Sequence, residues 1–216
     1  MGHAGVEAQP LLEATGLTCV RGGRTLFRDV TFGVTRGALL RVTGANGSGK
    51  TSLLRIVCGL ALAEAGAVRW CGKDVRNLRE MFWSELLYIG HANALKDDLT
   101  AEENLRIGAA LAGIDVTAAR ARDALEGFGI GHCAALPARV LSQGQRRRAA
   151  LARLHLSSAR TLWVLDEPFA ALDEHAVQHV EALVAEHLAG GSAVILTTHQ
   201  ALSVAAPATL HLSGGS

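Results

Sequence analysis

The segment Gly44 to Thr51 reads GANGSGKT, which fits the spacing GxxxxGK[ST]. That spacing suits a polyphosphate. Gly44, Gly47 and Gly49 let backbone N–H groups turn inward where a Cβ would obstruct them. A helix start directly after such a loop adds partial positive charge. Lys50 supplies a point charge for the β- and γ-phosphates, and the Thr51 hydroxyl suits Mg²⁺. Ala45, Asn46, Ser48 and the adjacent Ser52 belong to the same candidate cradle. The only lysines are Lys50, Lys73 and Lys96, so one inside a phosphate motif is not explained by abundance. An ordinary glycine-rich turn is the competing reading, and the spacing disfavours it.

Two further stretches could complete a site. Thr161 to Pro168, TLWVLDEP, ends an apolar run in two carboxylates. Asp166 sits where a Mg²⁺ partner of Thr51 is wanted, and Glu167 can polarise a water for attack on the γ-phosphate. Alone this is a weak signal, because many strands end in acidic turns. After a phosphate loop it becomes a strong one. Leu141 to Arg148, LSQGQRRR, offers Ser142 as an N-cap and Gly144 near a helix start, an arrangement that builds an anion site. Taken alone, a well-capped helix with a solvated arginine face is the simpler reading.

The surrounding elements must hold these residues. Residues 1–11 read as a tail. Leu12 to Phe32 carry strand-like runs broken by a turn at Arg21 to Arg24, and Ala38 to Thr43 is β-compatible. Thr51 to Gly59 has helical apolar spacing. Ala67 to Cys71 alternates as a strand, and residues 78–90 close in the buried strand LLYIG. Thr100 to Leu136 is mostly helical, opening with a Thr100–Glu103 capping box. A helix is expected over 141–160, a strand over 161–165, a helix over 174–189, and a last strong strand over 193–196. Apolar strands alternating with helices predict an α/β fold with a parallel sheet of βαβ units.

Composition narrows the function classes. The 216 residues are 49% hydrophobic and 19% charged, which excludes a disordered chain. The net charge of +1 gives no basic excess, so no nucleic-acid partner is expected. Cys19, Cys58, Cys71 and Cys133 form no CxxC and read as buried small hydrophobes in a reducing compartment. No secretory signal is expected, and no apolar run approaches the ~20 residues of a membrane span. A soluble protein is expected, with any membrane role carried by a partner. His175 and His179, four apart on a helix, read as a solvated face rather than metal ligands. Trp163 reads as core, whereas Trp70 and Trp83 fit core or surface equally.

The three stretches together resemble the nucleotide-binding subunit of an ABC (ATP-binding cassette) ATPase, from about Leu12 to Ser203. The resemblance implies a P-loop NTPase core, an antiparallel β-subdomain around Ala67 to Cys71, and a helical subdomain over about 92–155, all in one domain over 12–216. It implies ATP and Mg²⁺, with Lys50, Glu167 and His199 catalytic. His199, in LTTH, matches the switch histidine that contacts the γ-phosphate. Ser142, Gly144 and Gln145 match the signature motif that completes the opposing subunit's site, so a head-to-tail ATP sandwich homodimer is implied. Asp173, in Ala170 to Asp173, matches the D-loop acid.

Two positions depart from the family pattern. His91 stands where the family has a Gln linking the nucleotide to the membrane partner; a neutral imidazole keeps one hydrogen bond there. Arg21 stands where an aromatic residue stacks on adenine; its guanidinium plane can stack on a base or lie solvated in the turn. YIGHANALKDDLTAEENL, VLDEPFAALD and ILTTHQALSVA resemble one branch closely: the ATP-binding subunit of the cytochrome c maturation system, or haem exporter. That implies an integral membrane subunit at the cytoplasmic face of a bacterial inner membrane. The ATPase of another small exporter of drugs, lipids or ions is the alternative. A non-transport member on DNA or ribosomes fits less well, since no coiled-coil insertion and no second cassette are present.

Overall fold

Two sheets carry the architecture of this computed structural model, which describes residues 9–200, 202–203 and 208–214. The first contains β1 (Leu12–Arg21), β2 (Arg24–Val34), β4 (Ala65–Trp70) and β5 (Lys73–Asp74), antiparallel in the order β2-β1-β4-β5. The second contains β3 (Leu39–Gly44), β6 (Leu86–Ile89), β7 (Leu162–Asp166), β8 (Ala193–Thr197) and β9 (Ala208–Leu212), parallel in the order β6-β7-β8-β3-β9. The helices are α1 (Lys50–Val57), α2 (Val75–Glu85), α3 (Ala101–Leu111), α4 (Ala118–Gly127), α5 (Gln143–Leu151), α6 (Arg153–Leu156) and α7 (Glu174–Ala189).

The parallel sheet is covered on both faces, which explains its uninterrupted apolar strands. Successive side chains point to opposite sides. Trp163, Leu165, Val194 and Leu196 join one core with the helical elements α3 to α7. Leu162, Val164, Ala193 and Ile195 join a second core with α1 and the antiparallel sheet. The two cores therefore share β3, β7 and β8, so the ends of these strands are fixed from both sides. Those ends carry Gly44, Asp166 and Thr197.

Several expectations are corrected by packing. The helix expected over 141–160 is split. Ser142 N-caps α5, and after Ala152 the last turn tightens, with the His155 N–H donating to the Ala152 carbonyl at 3.2 Å, before α6 ends at Ser157. The Thr100–Leu136 stretch is α3, α4 and short 3₁₀ turns; the capping box at Thr100 and Glu103 is present. Leu11 is not a loose tail residue: it is buried, and its N–H donates to Val34 O at 2.8 Å. Cys71 is exposed, in the left-handed region (φ 47°) of the turn after β4, while the other three cysteines are buried. His175 is exposed, but His179 is half-buried, with its Nε2 3.1 Å from His155 Nε2 and its ring edge-on to Phe128. Trp70 and Trp163 are core, and Trp83 is half-exposed with its indole N–H on the Cys58 carbonyl. Among the described residues no helix is long and apolar enough to cross a membrane.

Candidate active site

The loop from β3 to α1 needs its glycines for specific contacts. A Cβ on Gly44 (φ 148°) would lie 2.6 Å from the Leu212 carbonyl oxygen and 2.7 Å from Ser48 Oγ. β9 thus crowds the loop from one side. Gly49 (φ 98°) is the N-cap of α1, and a Cβ there would lie 2.9 Å from the Phe27 ring. No side chain caps this helix and no acidic residue sits in its first turn. Its first N–H groups are left for a ligand, with the positive end of the helix dipole behind them. Lys50 Nζ donates to the carbonyls of Gly44 (2.9 Å) and Ala45 (3.3 Å), which holds the ammonium at the mouth of the loop.

Across the cavity, β7 delivers Asp166 with 1% exposure. The Thr51 hydroxyl donates to Asp166 Oδ2 at 2.7 Å, and the Thr197 hydroxyl donates to Oδ1 at 2.8 Å. Thr197 Oγ1 in turn accepts the Glu167 N–H at 2.8 Å. Glu167 lies in the left-handed region (φ 47°), unusual for a non-glycine residue. Its Oε1 is 3.5 Å from His199 Nε2. The core behind Asp166 is poorly solvated. Burial first and the Asp166 charge second push the Tyr88 hydroxyl up to about 12, and the same two causes push the Cys58 thiol up. The oxygen-only pair of Thr51 and Asp166 fits a hard divalent cation such as Mg²⁺. The cavity measures about 510 Å³ and is lined by Leu26, Asn46, Gly47, Gly49, Lys50, Thr51, Ser52, His91, Asp166 and Glu167.

The other candidate residues lie elsewhere. Arg21 is exposed at the end of β1 and is absent from the cavity lining. Ser142 is exposed; its Oγ accepts the Gln145 N–H at 3.2 Å, and Gln145 Oε1 accepts the Ser142 N–H at 2.9 Å. Gly144 passes close to the loop before α7, where a Cβ would lie 3.3 Å from the Ala171 carbonyl. Asp173 N-caps α7, accepting from the Ala176 N–H at 2.9 Å, and pairs with Arg148. Ala176's N–H, then Arg148, hold its carboxyl below the usual range. None of these four lines the cavity.

Sequence reasoning missed two residues. Thr197 was legible only as part of LTTH, and its bridge between Asp166 and Glu167 depends on β7 and β8 being neighbours. Arg147 was read as solvated, yet it is 3% exposed. Its flanking arginines are also engaged: Arg146 pairs with Asp97 at 2.7 Å, and Arg148 pairs with Asp173.

Comparison with known proteins is consistent with this geometry. Residues 27–170 match the family described as "ABC transporter". The "Cytochrome c biogenesis ATP-binding export protein CcmA" of Aromatoleum aromaticum is 53% identical over 95% of this chain and 96% of its own length. The protein of the same name from Nitrosospira multiformis is 50% identical over 94% and 98%. Among solved structures, an ATP-binding subunit of an ABC transporter superposes with a TM-score of 0.77 at 27% identity, over 88% of this chain and 79% of that one. A dimeric bacterial ABC transporter cassette superposes with a TM-score of 0.78 at 21% identity, over 88% of each.

Proposed function

We propose that this chain, which belongs to the ABC transporter family, is the ATP-hydrolysing subunit of a membrane complex that serves c-type cytochrome maturation. The observation that carries the hydrolytic part is the convergence of Thr51, Asp166 and Glu167 on one cavity in front of the uncapped N-terminus of α1. The cytochrome part rests on the extent of likeness to the two CcmA proteins.

In this reading the phosphates of ATP lie on the N–H groups of residues 44–51, with Lys50 swinging from its carbonyl contacts onto the β- and γ-oxygens. Thr51 and Asp166 would hold Mg²⁺, which offsets the charge of the phosphates. Glu167 accepts a proton from the attacking water, and His199 faces the γ-phosphate from the end of β8. At the buried Asp166 end of the site the low dielectric strengthens the charge contacts made there. Ser142, Gly144 and Gln145 are absent from the lining of their own cavity and serve the nucleotide of a second copy. The segment from His91 to Glu103 docks the integral membrane subunit on the cytoplasmic side of a bacterial inner membrane.

Deleting the gene and staining membranes for covalent haem tests the assignment. c-Type cytochromes should be lost while b-type cytochromes persist. Normal c-type levels in the deletion strain would overturn the cytochrome assignment and leave the ATPase reading standing.

A further inference from the structure

We propose that Arg147 is a positioning residue for ATP hydrolysis: its guanidinium fixes the turn that presents Glu167 and ties that turn to the segment carrying His91. This deepens the ATPase reading and rests on it.

Arg147 sits on the helix capped by Ser142, but its side chain leaves that helix for the catalytic turn. Nη2 donates to the carbonyls of Asp166 (3.1 Å) and Glu167 (2.6 Å), and Nε donates to that of Pro168 (3.4 Å). Nη1 donates to the Gly90 carbonyl (3.0 Å) and to Asn93 Oδ1 (3.4 Å). One planar fork therefore binds three successive carbonyls on one side and brackets His91 on the other.

Two physical points argue against simple packing. A buried cation held by neutral acceptors is a poor stabiliser, since an apolar residue of similar volume is often as good or better. Burial indeed pulls its pKa down, opposed by the Asp166 and Glu167 charges. Second, the Glu167 backbone is in a left-handed conformation. Such conformations persist only where the surroundings over-determine them. Thr197 holds the N–H of Glu167 and Arg147 holds its carbonyl, so the residue is clamped at both ends. Lysine cannot replace the fork, because a single ammonium has no planar span. The link to Gly90 and Asn93 gives any displacement of the His91 segment a direct mechanical path to Glu167.

The test uses the complex that co-purifies with the tagged full chain, carrying Arg147→Lys or, as a second variant, Arg147→Gln. In both, kcat should fall about 10²-fold, as expected when a reacting group is misplaced by about 1 Å. KM for ATP should stay within about threefold, because no phosphate contact is lost. The variants should also accumulate an ATP-bound dimer on size exclusion with ATP and Mg²⁺, as is expected of Glu167→Gln, with a melting temperature near the parent's. A parent-like kcat in Arg147→Lys overturns the proposal. So does a joint fall of kcat, ATP affinity and melting temperature without dimer accumulation, which is the signature of a purely structural arginine. Lys50→Ala in the same complex is the control: hydrolysis that survives it would sink the ATPase reading itself, and the proposal with it.

Discussion

At the end of the molecule where the phosphate loop meets β7, Asp166 and Thr197 are buried and each oxygen has a hydroxyl or amide partner. At the start of α5, Ser142 and Gln145 carry the same kinds of polar group, but the pair is spent on its own helix terminus and Ser142 faces solvent. The first region is organised inside one chain by strands that two cores hold in place. The second presents a capped helix start to whatever approaches it. A cavity assembled inside one chain and a motif displayed on its surface are what the proposed head-to-tail pair of copies requires. The contrast assigns different consequences to damage at the two ends.

The largest effect is expected at the first end. Lys50→Ala removes the point charge on the β- and γ-phosphates, so phosphate release should drop on the order of 10²-fold or more. Near-normal turnover would break the assignment of this end as the nucleotide site. Glu167→Gln keeps shape and loses the base. Turnover should fall roughly 10²-fold while ATP still binds, so size exclusion with ATP and Mg²⁺ should show a persistent dimer. A variant that remains monomeric and turns over at the parent rate would remove Glu167 from the chemistry.

Acid should act on the packing of α6 and α7 behind the second region. α6 follows directly on α5 and meets α7 through His155 and His179, while His187 stacks on Trp163. Burial lowers all three imidazole pKa values, that of His187 to about 4. The unfolded chain binds these protons near pH 6.5 and the folded chain resists them. The contribution of the neutral histidines is therefore full above pH 6.5 and is lost as pH falls toward 4, on the order of 2 kcal/mol for His187. Thermal unfolding followed from pH 7 to pH 4.5 should show this loss, and His187→Phe should shrink it. An unchanged midpoint across that window would show that these histidines add nothing to the stability of the α6–α7 packing.

Much of the first end was legible in the sequence, because its geometry is local: a glycine-spaced loop between an apolar strand and a helix, and an apolar strand ending in Asp-Glu. The parts that escaped depend on neighbours far along the chain. β9 is a five-residue strand in which only Leu212 is buried, so it has no apolar signature, yet its carbonyl is what forces glycine at position 44. α2 buries only Val75 and Phe82 and is interrupted at Arg79 (φ 24°), which hides its period. A run of three arginines gives no hint that the middle one turns inward. The N-cap at Ser142 was legible, being a matter of a few adjacent residues.

A mixing experiment sharpens the contrast with a smaller readout. If Ser142 serves the partner copy, a dimer of one Lys50→Ala subunit and one Ser142→Arg subunit has one site with both faults and one with neither. Such a mixed dimer should recover to about half the parent's activity, one sound site in two. If Ser142 served its own cavity, each site would carry one fault and the mixture would stay inactive.

The smallest effect on the chain itself is expected in the segment between the two ends. Lys96, Asp97 and Asp98 form a polar stretch of the proposed docking segment, in which Asp97 pairs with Arg146 at 2.7 Å and Asp98 with Arg139 at 2.9 Å. Both aspartate side chains remain largely exposed, so each pair is worth only about 0.2–1 kcal/mol. Reversing both to lysine should therefore lower the melting temperature by a few degrees at most. ATP binding should not change, because neither aspartate touches the phosphate loop or the Asp166–Glu167 turn. The effect on a docked partner should be larger, since like charges set against each other at an interface cost several kcal/mol. Co-purification of the proposed membrane subunit should fall while the isolated chain stays folded and binds ATP. If the doubly reversed variant kept its partner at parent levels, the Asp97–Arg146 and Asp98–Arg139 pairs would be internal braces of the helical subdomain. Docking would then have to be sought on another face of the molecule.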